Sequence, residues 1–293
     1  MKISLATKEF LRIIVGMKLS KLSLIVAFLI LCYSAHAQQV EWHTDYKEAS
    51  KVARENGKPM LLDFSAKWCK PCQAMEKTFW TRPDVIELSG QFVCVKVDFD
   101  NEKGLAGKYG VAAIPNVLTT DPWGNGLNYS RGFGSNSDDI LKRLKFVPKD
   151  FSPIKDANLQ LETDKNDHAA LERIVDFYNQ NKLYFQSNQY GKRLYKIETD
   201  TPKRENLLLN IGFNYVRVGL SDEAEDAFKD FQKEFPQSSQ NEIALYGLIY
   251  ANLQEKKSGT AEKLFAKFKT DYPTSTYLAK LEEWLADAKQ KKK

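Results

Sequence analysis

The stretch DFSAKWCKPCQAMEKTF, residues 63–79, sets two cysteines two residues apart where an apolar run meets a helical pattern. Met60-Leu61-Leu62-Asp63-Phe64 reads as a strand, and the segment from about Cys69 to Trp80 as the helix after it. A pair so spaced can bind metal, staple the chain or exchange electrons. A zinc site needs four ligands. Beyond the N-terminal leader the other candidates are Cys94, His43 and His168, and none stands at metal-ligand spacing. Cys94 falls within the apolar run 92–99 and reads as a small buried hydrophobe. The local geometry suits electron exchange better. A cysteine at a helix start meets free backbone N–H groups and the positive end of the helix dipole, which favour the thiolate. Cys72, one turn on, lies on the same side and can close an internal disulfide. Pro71 is tolerated because the first helical turn has no N–H partner to lose.

The compartment follows from the leader. Met17 to Ala37 (MKLSKLSLIVAFLILCYSAHA) carries Lys18 and Lys21, an apolar core from Leu24 to Leu31 and a small-x-small site, Ala35-His36-Ala37. The apolar core is far shorter than the roughly 20 residues that span a bilayer. The segment therefore reads as a cleaved export leader, with Met17 as its start, residues 1–16 as an upstream extension and cleavage near Ala37. The expected destination is outside the cytoplasm, the periplasm if the source is bacterial. The leader holds five of the 43 cations and one of the 38 acids, leaving 38 basic and 37 acidic residues. The formal charge of +5 on the whole sequence therefore gives no argument for nucleic acid. Beyond the leader, 256 residues suit two domains, and three cysteines are too few for a disulfide-stapled scaffold.

The two halves differ in texture. From residue 38 to 147 strands and helices alternate: a capped helix at 46–56 stopped by Gly57, the strand at 60–64, the helix from Cys69, and an apolar strand at 92–99. A short helix at 106–109, strands at 116–119 and 127–131 and a helix at 138–146 complete one α/β sheet covered by helices. Pro148 and Pro153 punctuate a polar linker, 148–160. Residues 161–293 carry no strand pattern but an internal repeat. NIGFNYVRVG (210–219) matches LYGLIYANLQ (245–254), with Gly212 over Gly247 and Tyr215 over Tyr250, 35 apart. AEDAFKDFQKEFPQS (224–238) matches AEKLFAKFKTDYPTS (261–275) at 37, with the two extra residues assigned to the intervening turn. A weaker copy precedes them at Tyr178, Leu194 and Pro202. Helix, turn, helix and proline at a period near 34 resembles tetratricopeptide repeats. The helical aromatics read as stacking core rather than a ligand box.

DFSAKWCKPC resembles the active-site segment of the thioredoxin family. Asp63 stands six residues before Cys69, as the family's buried carboxylate does. Ile114-Pro115 matches the cis-proline site, KVDFD (96–100) the central strand with its lysine, and Gly132 the late glycine. The helix at 46–56 and CQAMEKTFW resemble the exported branch that includes terminal domains of transmembrane thiol-transfer proteins. The resemblance implies a thioredoxin fold followed by an all-α, tetratricopeptide-like domain. It implies Cys69 as nucleophile, Cys72 as resolving thiol, Trp68 as a shield over the pair and Pro115 as the edge that meets a substrate strand. Asp63, on an apolar strand, is reluctant to ionise. It either exchanges a proton with Cys72 or is a carboxylate satisfied by Lys96, and both readings stand. Lys70 departs from the family's usual glycine, and a cation beside a thiolate favours the reduced state. No cofactor is expected, since Gly132-Phe133-Gly134 lacks the third glycine of a dinucleotide fingerprint. Electrons must then come from an external donor, such as a membrane thiol-transfer protein, and the partners are protein disulfides. The expectation is an exported thiol–disulfide oxidoreductase that reduces or isomerises protein disulfides, with a helical docking arm. A binding scaffold with a passive thioredoxin-like domain is the competing reading.

Overall fold

The computed structural model describes residues 39–134 and 137–290; the leader read at 17–37 lies outside them. Five strands form the first half: β1 (Trp42–His43), β2 (Met60–Ser65), β3 (Val93–Asp98), β4 (Asn116–Thr120) and β5 (Gly126–Arg131). They lie in the order β1-β3-β2-β4-β5. β3 runs parallel to β1 and β2, while β4 is antiparallel to both β2 and β5. Helices α1 (Tyr46–Asn56), α2 (Lys70–Thr78), α3 (Pro83–Ser89), α4 (Lys103–Lys108) and α5 (Ser137–Lys145) interleave with the strands. The central strands are apolar because both faces are covered: Leu61, Cys94 and Val117 face the layer of Met75, Phe79 and Ile140. Met60, Leu62, Phe64 and Val95 face the layer of Ala49 and Ala53. This is a thioredoxin-fold mixed sheet with flanking helices.

Two elements have no counterpart in the sequence expectations. β1 is two residues long, too short for any alternation to register, and pairs Trp42 with Cys94. α3 is seven residues with Pro83 in its first turn, and it buries only Val85, Leu88 and Ser89. The remaining boundaries shift by a few residues at most, and α2 starts at Lys70, with Cys69 as its N-cap.

The expected linker at 148–160 is corrected by the structure. Residues Ser152–Ile154 form a 3-10 turn leading directly into α6 (Lys155–Thr163). Phe151, Ile154 and Ala157 are fully buried in a core that also takes in Trp123 and Leu127 of the sheet domain. Pro153, one of the two prolines that suggested a tether, sits instead in the first turn, where no N–H partner is lost. Gly57 makes the junction possible. It closes α1 at φ +66, and a Cβ there would fall 2.8 Å from the Ser152 nitrogen. The Phe151 N–H donates to the Gly57 carbonyl at 2.7 Å.

The second half is helical throughout: α7 (His168–Gln180), α8 (Tyr184–Ile197), α9 (Thr201–Arg217), α10 (Ser221–Glu234), α11 (Asn241–Gln254), α12 (Ser258–Asp271) and α13 (Leu278–Gln290). Three helix pairs repeat at 37 residues. Each inner turn holds one residue in the left-handed region, Lys182, Gly219 and Lys256. In each, the next N–H (Leu183, Leu220, Lys257) reaches back to the carbonyl of Tyr178, Tyr215 or Asn252 at 2.8 to 2.9 Å, the Schellman closure. The second helices end alike, with Glu198, Phe235 and Tyr272 donating to Leu194, Phe231 and Phe268, each at 2.9 Å. Tyr215 is thus equivalent to Asn252, not Tyr250, and the inner turns are equal in length. The 35-residue sequence match followed a shared pattern of small and aromatic residues. Gly212 and Gly247 still act together, because both make room for the fully buried Phe228 ring.

Gly247→Ala tests that packing. An added Cβ would lie 2.6 Å from the Phe228 Cε1. Overpacking by about 1–3 kcal/mol should exceed the roughly 1 kcal/mol gained in helix propensity. The melting temperature should therefore fall in a calorimetric scan. An unchanged or higher value would show that Phe228 can swing aside.

Candidate active site

The strand-to-helix step after β2 delivers the cysteine pair. Cys69 and Cys72 are joined by a disulfide with Cα atoms 5.2 Å apart. Cys69 occupies the N-cap of α2, and its sulfur accepts the Cys72 N–H at 3.2 Å. Both side chains are largely buried, whereas Lys70 and Pro71 between them face solvent. Trp68, the residue before the pair, is 62% exposed and is held at the surface by its indole N–H, which donates to Asp100 Oδ2 at 2.8 Å.

Asp63 lies in β2, directly opposite Lys96 of β3 and Val117 of β4. Its Oδ2 accepts from the Lys96 ammonium at 2.7 Å and from the Trp80 indole N–H at 3.1 Å. Its Oδ1 is buried and has no hydrogen-bond partner. Burial raises the Asp63 pKa, and the charge and hydrogen bond of Lys96 only partly offset it. Lys96 is shared: it also pairs with Glu76 of α2 and lies 4.2 Å from the centre of the Trp42 ring. Trp42 in turn packs edge-on against Trp80 at 5.0 Å.

The Ile114–Pro115 bond is cis, and Pro115 is buried at the start of β4. Since Asn116 pairs with Phe64, Pro115 stands beside the end of β2 from which the chain runs into Trp68 and Cys69. Gly132, at φ +75, donates its N–H to the Pro115 carbonyl at 2.8 Å. The fold thus gathers Cys69, Cys72, Trp68 and Pro115 at one end of the sheet, with Asp63 and Lys96 inside it. Sequence reasoning missed Trp80, Trp42 and Glu76. Only Glu76 left a signal, standing one helical turn after Cys72 on the helix that the cysteine pair starts.

Comparison with known proteins agrees with this geometry. The family described as Thioredoxin-like matches residues 41–122. A Thioredoxin H-type of Fagopyrum esculentum is 32% identical over 113 residues, 37% of this chain and 90% of that protein. Protein disulfide isomerase-like 2-2 of Oryza sativa is 28% identical over 124 residues, 42% of this chain but 32% of that protein. The Thiol:disulfide interchange protein DsbD of Campylobacter jejuni is 27% identical over 115 residues, 38% of this chain and 20% of that protein. The chain belongs to the thioredoxin family. At the level of that family the chemistry is thiol–disulfide oxidoreduction.

Cys94, the free cysteine among the described residues, is buried in β3, and burial pushes its thiol up to about 12. In the reduced folded protein Cys69 should alkylate first below neutral pH, and Cys94 last. Mass-mapped iodoacetamide labelling at equal rates on all three would contradict the helix-terminus argument.

The raised Asp63 pKa also fixes a pH dependence. A carboxyl whose folded value exceeds its unfolded one contributes stability that is complete below the ordinary carboxylate range. That contribution is lost as pH rises through the raised value. Asp63→Asn lacks the titration, so its melting temperature relative to wild type should climb with pH. A difference independent of pH, measured on the disulfide form, would mean that Asp63 titrates normally.

Proposed function

We propose that this chain is an exported thiol–disulfide oxidoreductase that reduces or isomerises protein disulfides through Cys69 and Cys72, with its helical half as a docking arm. One observation carries the reading: the Cys69–Cys72 disulfide closes at a helix N-terminus, directly after the strand that carries a buried carboxylate with one oxygen free. In the reduced form the Cys69 thiolate attacks a client disulfide. One client sulfur leaves as a thiolate and takes a proton, and a mixed disulfide remains. Asp63 accepts the Cys72 proton, and the Cys72 thiolate then attacks the Cys69 sulfur. The second client thiol departs, the internal disulfide re-forms, and two electrons have passed to the client. An external dithiol must restore the pair.

Within this reading Pro115 borders the client groove, Trp68 lines its rim, and Lys96 holds Asp63 in place. The similarity to a thiol:disulfide interchange protein supports a membrane thiol-transfer protein as donor. Export rests on the leader at 17–37 and places the protein in the periplasm if it is bacterial. On this reading the chain divides into a thioredoxin-like domain at 38–147 and a tetratricopeptide-like domain at 161–293, joined by the packed segment 148–160. The 37-residue helix pairs support the latter, although their period is longer than the 34 of that repeat. The competing reading, a binding scaffold, uses the same repeats without the chemistry.

Cys72→Ser decides between them. It leaves Cys69 able to attack and unable to resolve, so mixed disulfides should accumulate in cells and survive non-reducing electrophoresis. Absence of any trapped client, with Cys69 reduced and the protein folded, would favour the scaffold.

A further inference from the structure

Of the six large apolar side chains left exposed among the described residues, three lie around one cleft: Tyr129 (57%), Phe185 (45%) and Val218 (39%). The cleft, of about 570 Å³, opens between β5 and the turns before α8 and after α9. β5 is the edge of the sheet, with β4 as its one neighbour. The arm already imitates a strand partner at its near end, where the Gln186 side-chain amide donates to the Gly126 carbonyl at 2.5 Å. The charged residues lining the cleft are Lys108 and Lys182. Further along β5 a second hollow adds Arg131 and Arg143 against a single acid, Asp139. The surface thus combines an unpaired strand edge, an apolar patch and a net positive rim.

We propose that this cleft docks an extended client segment carrying acidic residues beside an aromatic or branched apolar one, laid along the free edge of β5. Main-chain pairing to a sheet edge supplies affinity, and the side-chain hollows supply choice. The apolar patch is contiguous with the edge, which is where exposed apolar surface marks an interaction site. Acidity of the partner follows from the four cations, against one acid, that line the two hollows beside β5. Direction follows from topology: β5 ends at Arg131, which pairs with Asn116 beside the cis Pro115. Six residues of strand span about 20 Å, so a segment held in the cleft presents its continuation to the disulfide. That last step rests on the redox reading above; the docking itself does not.

The test uses the whole chain and two fluorescent eight-residue peptides. One carries Glu and Asp around a Phe-Val pair, and the other has Lys in place of the acids. By anisotropy the acidic peptide should bind at least tenfold more tightly than its basic counterpart. Lys182→Glu and Phe185→Ala should each weaken it about tenfold, while Lys182→Arg retains it. Equal affinity for the two peptides, or indifference to Lys182→Glu in a folded variant, overturns the proposal. The acidic peptide is then linked to a disulfide. Its KM should lie below that of a small aromatic disulfide, and Lys182→Glu should raise that KM without changing kcat. Binding without reduction of either disulfide would sink the redox reading and leave the docking surface standing. Reduction without selective binding would do the reverse.

Discussion

A carboxylate in the middle of an apolar sheet is the constraint around which the first half is built. Removing a charged Asp63 from water costs several kcal/mol unless partners repay it. Lys96 sits directly across the parallel β2–β3 pair and supplies one of them. That pairing ties the register of the sheet to the electrostatics of the site, because a one-residue slip would turn Lys96 to the opposite face. Trp80 reaches the same oxygen from beyond α2, and Glu76 draws on the same ammonium. Trp42 in β1 covers that ammonium with its ring. Three elements that share no sequence pattern thus converge on one ion pair, of which Asp63 is the buried member.

A second buried carboxylate shows the opposite outcome. Asp121, in the turn between β4 and β5, is fully buried and satisfied on both oxygens. Oδ1 accepts the Trp123 and Asn125 N–H groups at 2.9 Å, and Oδ2 accepts the Asn125 amide and the Tyr178 hydroxyl of α7. Tyr190 stacks on Tyr178 and meets the Asn125 amide at 3.2 Å. Burial raises the pKa of both aspartates. The difference lies in satisfaction. Asp121 has no unused acceptor and serves as a joint between the halves, whereas Asp63 keeps Oδ1 open to a proton. An unpaired buried acceptor is costly enough to need a reason, and the proton exchange proposed for Asp63 supplies one.

The cysteine pair, the strand before it and the helix after it were legible because a long apolar run, a proline and a helix start coincide within residues 60–80. Pro115 was legible only through its resemblance to a family motif, since nothing in Ile114-Pro115 alone specifies a cis bond. Trp80 and Trp42 were not legible. Their role comes from tertiary convergence on Lys96, and a tryptophan in an apolar setting reads as packing. The linker was misread for a related reason. Polar residues and two prolines at 148–160 resemble a tether, but Phe151 and Ile154 carry the packing, and two residues give no period. The repeat was legible in kind, while its register needed the left-handed turn residues. Lys182 and Lys256 hide a position that glycine marks openly only at Gly219.

A docked arm changes how the two halves can cooperate. A flexible tether raises local concentration but imposes no direction, and its benefit falls with length. Here the Phe151 N–H bonds Gly57, Lys155 reaches the Glu55 carbonyl, Tyr178 meets Asp121, and Gln186 caps Gly126. These contacts spread over α1, the β4–β5 turn and β5, so rotation of the arm about any one of them would break the others. The arm is thereby held at the end of β5 opposite Pro115. Under the docking proposed above, a segment held there would reach the disulfide along the strand, and selection by the arm would then be selection of orientation as well as of partner.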